Sequence, residues 1–421
     1  MLDRSVAPPL RHTLDFHLPE FTRFALPAGL ASVLIPSDRQ PVVRIEFIFP
    51  AGKVTEQQLG ASHFTALMLE KGTVRLDSEA IASQLDFYSA QLDINPGPDH
   101  VSVSLYCLTR NLGSVLPLML ELMTEPSFDA QELGLAKRIF IDDLRINMEK
   151  TSWLASRRIR ELLFGTHAYG TSATTESTEA VSADSLHEHF QRCYRPSHLF
   201  VAGNILPEDL AMLSEFVERK WPEPSTTAST VAPPDPIPLS IGKEERMPRE
   251  SAVQCAIRFG RIAITRDHPD YAAMRLANHV LGGFFGSRLM KTIREEKGLT
   301  YGIHSYVQHM DLAGMMIIGA EVNKENVDVA VAAIREEMQR LSEISDHELA
   351  TARQHYVGSL QSDVNTIFAG ADKIKMLQLH GLPGDYFSRF IRNLDALTAR
   401  EVSAAASRYW NPSDYALTIA G

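Results

Sequence analysis

The chain has 421 residues, 44% of them apolar and 22% charged, a composition that excludes disordered and collagenous proteins and is too long for one ordinary core. Its formal net charge of −11, from 52 acidic against 41 basic residues, argues against nucleic acid as a partner. Residues Met1 to Leu10 hold no apolar core of signal-peptide length, and no run of apolar residues is long enough to span a membrane, so no membrane partner is expected and a cytoplasmic location is read.

The first predicted strand places Val43, Ile45, Phe47 and Phe49 on one face. A helix follows between Gly60 and Thr73, closed by Gly72, with positions 63 and 67 on one face. An inverted zinc-peptidase motif, His-x-x-Glu-His, needs two histidines at that spacing and a glutamate between them to activate the metal-bound water. Here His63 stands at the first position, Ala66 replaces the glutamate and Leu67 replaces the second histidine. Taken without its flanks, His63 reads as an ordinary helix residue.

Val101 to Leu108 alternates as a half-buried strand, and a helical stretch runs from about Leu112 to Met123. Asp142 and Asp143 read as a solvated helix face, and Leu186 to Phe190, whose His187 and His189 point in different directions on a helix, as solvated surface. Cys107, Cys193 and Cys255 lack metal-binding spacing and are odd in number, which argues against a disulfide framework. From Trp221 the chain becomes dense in proline, through Pro222, Pro224, Pro233, Pro234, Pro236 and Pro238, and a connector is placed at 221–248.

Beyond it, Val253, Cys255, Ile257 and Phe259 share one strand face, Met315 to Val322 reads as a strand, and Val327 to Leu341 as an amphipathic helix. Between them Gly282 to Gly286 forms a turn, a helix is expected from about Ser287 to Lys297, Gly298 caps it, and a strand begins near Leu299. The turn lacks the lysine and Ser/Thr of a phosphate loop, so nucleotide binding is rejected. Arg294 falls in the last helical turn and Tyr301, seven residues on, just inside the strand, so both can point to one cleft. By spacing alone they are a charged helix end and a rim aromatic.

The halves repeat. Arg195-Pro196-Ser197 corresponds to Asn411-Pro412-Ser413, and Asp129 to Leu133 corresponds to Ser345 to Leu349, both 216 residues apart. Two matches at one offset indicate duplication. The fold class expected is α+β: two homologous domains, 1–220 and 249–421, each a mostly antiparallel sheet with helices packed on one face.

Gly60-Ala61-Ser62-His63-Phe64 with Lys71-Gly72-Thr73 resembles the zinc-site helix of the insulinase and pitrilysin family, also called the mitochondrial processing peptidase family. Leu281 to Gly302 and Glu161 to Gly170 resemble two further stretches of that family, with Ala168 in place of a proline. The resemblance covers nearly the whole chain and implies that each chain forms half of a clamshell, with 221–248 as a strap. It also implies a third metal ligand at the place held here by Asp143, and a substrate-binding arginine and tyrosine at Arg294 and Tyr301; Arg288 is read as structural.

With at most His63 and Asp143 as ligands, where a catalytic zinc needs three and a water, no metal or cofactor is expected in this chain and no independent peptidase activity. Small members of the family act as pairs, one subunit bringing zinc and the other the arginine and tyrosine. The resemblance therefore implies the non-zinc subunit of a heterodimeric zinc metallopeptidase acting on peptides, with a zinc-bearing homologous subunit as partner. Arg294 then orients substrate, and Tyr301 stabilises the oxyanion. The alternative is a catalytically inert scaffold or peptide-binding protein of the same fold. Homodimerisation is open to the isolated chain.

Overall fold

Residues 16–26, 29–221 and 242–421 are described in the computed structural model. The chain begins with β1 (Thr22–Ala25), β2 (Ala31–Pro36) and β3 (Val42–Phe49), then α1 (Ala61–Met68) and α2 (Ser78–Phe87). The hairpin β4 (Gln91–Pro96) and β5 (Val101–Leu108) leads into α3 (Leu112–Leu122), α4 (Ala130–Met148), α5 (Thr151–Phe164), α6 (Thr175–Ala180) and α7 (Ala183–Cys193). Strand β6 (His198–Gly203) and α8 (Pro207–Lys220) close this part.

Then come β7 (Glu244–Met247), β8 (Gln254–Ala263), α9 (Tyr271–Gly282), a π-helix over Met290–Glu296, β9 (Ile303–His309) and β10 (Gly314–Asn323). Helices α10 (Val327–Arg340), α11 (Asp346–Ser362), α12 (Ile367–Leu379), α13 (Tyr386–Ala396) and α14 (Ala399–Tyr409) precede β11 (Ala416–Ala420). Of the proline-rich stretch, 222–241 lies outside the described residues, and at its end the chain has already entered the second sheet as β7. No helix among the described residues is long and apolar enough to cross a membrane.

The two sheets run β1-β2-β6-β3-β5-β4 and β7-β11-β8-β10-β9. Without β1 the orders coincide, and in each the outer pair, β2 with β6 and β7 with β11, is parallel while the other pairings are antiparallel. One of the repeated pairs of segments starts a helix in each half. Asp129 accepts from the Gln131 and Glu132 amides to cap α4, and Ser345, 216 residues later, accepts from Glu348 to cap α11. Likewise α7 and α14 begin on capping boxes, Ser182 with Ser185 and Thr398 with Glu401.

Val43, Ile45, Phe47 and Phe49 are fully buried under helices of the same half, beside Leu116, Met119, Leu213 and Trp221. Cys255, Ile257 and Phe259 do the same in the second sheet, whereas Val253, expected on that face, precedes the strand and is 80% exposed. To these helices the structure adds one on each opposite face, exchanged between halves. Helix α12 packs Ala371 and Ile374 on Val33, Ile48 and Phe200 of the first sheet. Helix α5 packs Ile159 and Leu163 on Met315, Ile317 and Ala416 of the second.

Candidate functional site

Helix α1 starts at Gly60, whose φ of 102° is one that other residues rarely adopt. No side chain of its own caps it. Instead the Glu56 carboxylate accepts from the Gly60 amide at 2.9 Å and from Ser62 at 3.3 Å, while the Ser62 hydroxyl donates to the Ala51 carbonyl at 2.6 Å. Burial pushes the Glu56 carboxyl above its ordinary range, against the pull of these amides and of Lys53.

His63 is half-buried, and its ring lies 5.2 Å from that of Phe64 and 5.0 Å from that of Phe140 in α4. Desolvation lowers its pKa, which favours the neutral imidazole. Ala66 is fully buried, and Leu67 joins Phe64, Met68, Leu133 and Phe140 in an apolar cluster between α1 and α4. Asp143 is exposed, as is Asp142, which pairs with Arg145 at 3.0 Å; the α4 side chain that meets His63 is Phe140, one turn earlier.

Phenyl rings thus flank the imidazole, and a methyl and an isobutyl group stand at the positions of the missing glutamate and second histidine. Among the described residues no group of three or more His, Cys, Asp or Glu side chains is placed to hold a metal ion. A zinc ion does not fit these residues.

Beside His63 lies a cavity of about 320 Å³ shared between the halves. Lys53, Glu56, Arg160 and Tyr169 line it from one side, Gln308, Met310 and Met315 from the other. The Lys53 ammonium donates to the Thr171 carbonyl, and its pKa is pulled down by burial and by the nearby Arg160 and Arg157. Tyr169 ties the halves together: its hydroxyl donates to Asp99 and accepts from the Leu312 amide at 3.2 Å. Asp99 also accepts from the Asp311 amide at 3.1 Å, and His100 meets the Asp311 carboxylate at 2.6 Å.

Sequence reasoning missed Lys53 and Glu56, which carry no motif. Tyr169 stood inside the stretch already singled out, whose substituted Ala168 lines the same cavity. The reading of Leu186 to Phe190 as solvated surface is corrected in part. His187 is exposed, but His189 is 2% exposed, contacts the Ala51 carbonyl at 3.1 Å and is held neutral by burial, its pKa lowered to about 4.

The second segment also departs from expectation. Seven residues, Met290–Glu296, form a π-helix rather than an α-helix, and the wider winding continues as Lys297 donates to the Thr292 carbonyl at 3.1 Å and Leu299 to Ile293 at 3.0 Å. Gly298 ends it with a φ of 62°. The strand starts only at Ile303, so Tyr301 lies before it, not inside it. Arg288 holds Glu348 through two bonds of 2.6 and 2.8 Å, a structural clamp.

Arg294 is half-buried with its guanidinium 4.9 Å from the centroid of the Phe285 ring, itself 61% exposed. Tyr301 is 90% exposed. Neither lines the cavity beside His63, which takes its second-sheet residues from the far end of β9. Within one chain, the metal-site remnant and the Arg294–Tyr301 pair are not brought together there.

Residues 32–173 match the family described as Insulinase (Peptidase family M16), and residues 180–356 match the one described as Peptidase M16 inactive domain. A Bacillus subtilis protein named as an uncharacterized zinc protease, YmxG, is 22% identical over 86% of this chain and 88% of its own length. A Helicobacter pylori protein named as a non-peptidase homolog is 22% identical over 86% of this chain and 85% of its own. Among solved structures, a peptidase M16 inactive domain from Pseudomonas fluorescens superposes with a TM-score of 0.87 at 23% identity, covering 96% of this chain and 98% of that one. A protease from Helicobacter pylori superposes at 0.84 and 14%, covering 96% and 100%. The fold, the two matched regions and the degenerate motif at His63 agree: the chain belongs to the insulinase, or M16, peptidase family.

Proposed function

We propose that this chain is the non-zinc subunit of a two-chain zinc metallopeptidase that degrades peptides, with a homologue bearing an intact His-x-x-Glu-His as partner and sole source of zinc. Tyr301 carries the reading. Its phenol is 90% exposed and makes no hydrogen bond among the described residues, so it is a donor available to another molecule. Among the described residues Arg294 is engaged only by the face of Phe285, which leaves its N–H groups for substrate carbonyls. In the paired enzyme Arg294 orients the peptide, and Tyr301 donates to the oxyanion formed at the partner's metal.

A second reading, a peptide-binding protein without a catalytic role, is favoured by the cavity that keeps Lys53, Glu56 and Arg160 beside the lost metal site. Peptide cleavage by this chain alone, by the zinc-bearing homologue alone and by the mixture separates the two. Activity is expected only in the mixture, and Tyr301→Phe should lower turnover there on the order of 10²-fold, as for one lost oxyanion donor. Mixed activity indifferent to both Tyr301→Phe and Arg294→Ala returns the chain to the binding role.

A further inference from the structure

We infer that a separate cavity in the second half binds a small carboxylate that carries an aromatic or branched apolar body. The cavity measures about 600 Å³ and opens between α9, α11, α12 and α13. One side of its wall is aromatic, with Tyr271, Tyr356, Tyr386 and Phe390 around two arginines, Arg266 and Arg275. The other side is polar, with Ser362, Asn365, Thr366 and Lys373.

Arg275 is the anchor. It sits among packed side chains, yet one edge of its guanidinium is open to the cavity. Nε donates to the Tyr356 hydroxyl at 2.9 Å and NH1 to the Val307 carbonyl at 3.3 Å, both neutral acceptors. NH2 has no hydrogen bond and the side chain no ion pair among the described residues. Arg266 likewise has no ion pair among the described residues, and the Asp311 carboxylate that it attracts from further off is already held by His100 at 2.6 Å. The Arg266 guanidinium donates to His380 Nε2 at 3.1 Å and faces the Tyr271 hydroxyl.

A cation placed in protein without a counter-ion is costly, and an anion entering the cavity removes that cost. The two acids in the wall do not supply it. Asp363 is held by Lys373 at 3.0 Å, and Asp372 by Arg44 at 2.9 Å and Lys375 at 3.2 Å.

The donor set selects the chemistry. Two planar guanidinium groups suit the flat, two-oxygen face of a carboxylate. Tyr356 already accepts from Arg275, so its own proton remains to donate, and burial keeps the Tyr271 and Tyr386 phenols protonated. A phosphate dianion would bring a second charge against Asp363 and Asp372. The aromatic side of the wall, on which the arginines lie, suits an apolar body on the ligand.

Calorimetric titration of the full chain with N-acetylphenylalanine, its carboxamide, phenylacetate and phenyl phosphate tests this. One acid should bind saturably at a single site, with the carboxamide weaker by about tenfold or more because the charge-assisted bonds are lost. Preference for N-acetylphenylalanine identifies a peptide C-terminus as the source, preference for phenylacetate a free acid, and either sustains the proposal. Arg275→Gln should weaken the acid by about tenfold or more and leave the carboxamide unchanged. Should that variant fail to give a cooperative melt, Arg266→Gln at the half-exposed rim is expected to lower the same affinity. The inference is overturned if acid and carboxamide bind alike, if none binds, if phenyl phosphate binds tightest, or if a folded arginine variant keeps full affinity.

Discussion

Arg44 in β3 and Arg258 in β8 hold the same place in their sheets, because Ile45 pairs with Val201 and Phe259 with Leu417, 216 residues later. Each arginine points at the exchanged helix. Arg44 meets Asp372 of α12 at 2.9 Å, and Arg258 meets the Ser156 hydroxyl of α5 at 3.1 Å, with Ser156 and Asp372 again 216 apart. One rung further the chemistry parts. The first seam sets buried Glu46 against Lys375 at 2.6 Å, whereas the second sets Gly260 against Ile159, the residue 216 before Lys375. Duplication kept the crossing of helix and sheet, and left the filling free so long as charge was matched in one copy and volume in the other.

The largest expected break is Lys375→Ala. It removes the nearer cation from a carboxylate that is 2% exposed and leaves it, among the described residues, only Arg44 at 3.5 Å, and a loss of about 3 kcal/mol is expected in urea unfolding. The double variant Glu46→Gly with Lys375→Ile copies the other seam and should recover most of it, since a packed apolar pair replaces a buried ion pair at little cost. Failure to recover would show that the seams are not interchangeable.

Next is Gly260→Ala, where a Cβ would lie 2.5 Å from Ile159 Cγ1. Overpacking of this kind costs about 1–3 kcal/mol, and Ile159→Ala in the same chain should relieve part of it, a coupling read by a double-mutant cycle. Strict additivity would mean that the two side chains do not meet.

The smallest effect is Arg158→Ala at the rim of the second seam, where the guanidinium grips Glu245 with both partners 36% exposed. A loss of about 0–1 kcal/mol is expected at neutral pH. Arg158 holds the Glu245 carboxyl below the usual range, so its contribution is present above the unfolded carboxyl pKa and fades as pH falls through the folded one. Melting temperatures of parent and variant should therefore converge in acid. A difference that persists there would assign the effect to packing of the arginine stem.

Much of the fold was legible because its signals are local. Alternation in Val43 to Phe49 and Val101 to Leu108, the caps at Asp129 and Ser345, and the 216-residue offset each concern neighbours in sequence. The absent base at Ala66 and the absent ligand at Leu67 were equally plain, since side-chain identity alone rules them out. Helix exchange was not legible: Arg44 and Glu46 alternate with the apolar residues of β3, and nothing near them in sequence shows that both are 2% exposed under α12. Nor was the π-helix, whose register depends on where Thr292 and Ile293 find partners.

By itself the sequence determined two repeated α+β halves, a metal motif without its glutamate and second histidine, and an arginine and tyrosine seven residues apart. Those follow from residue type and spacing, which no folding step alters. Only the tertiary structure decided that Phe140 rather than Asp143 meets His63, that Lys53 and Glu56 join residues of the other half around one cavity, and that Tyr301 stands in solvent. Each depends on how distant segments cross and which face they bury, and an apolar stripe states only that something must cover it, never what.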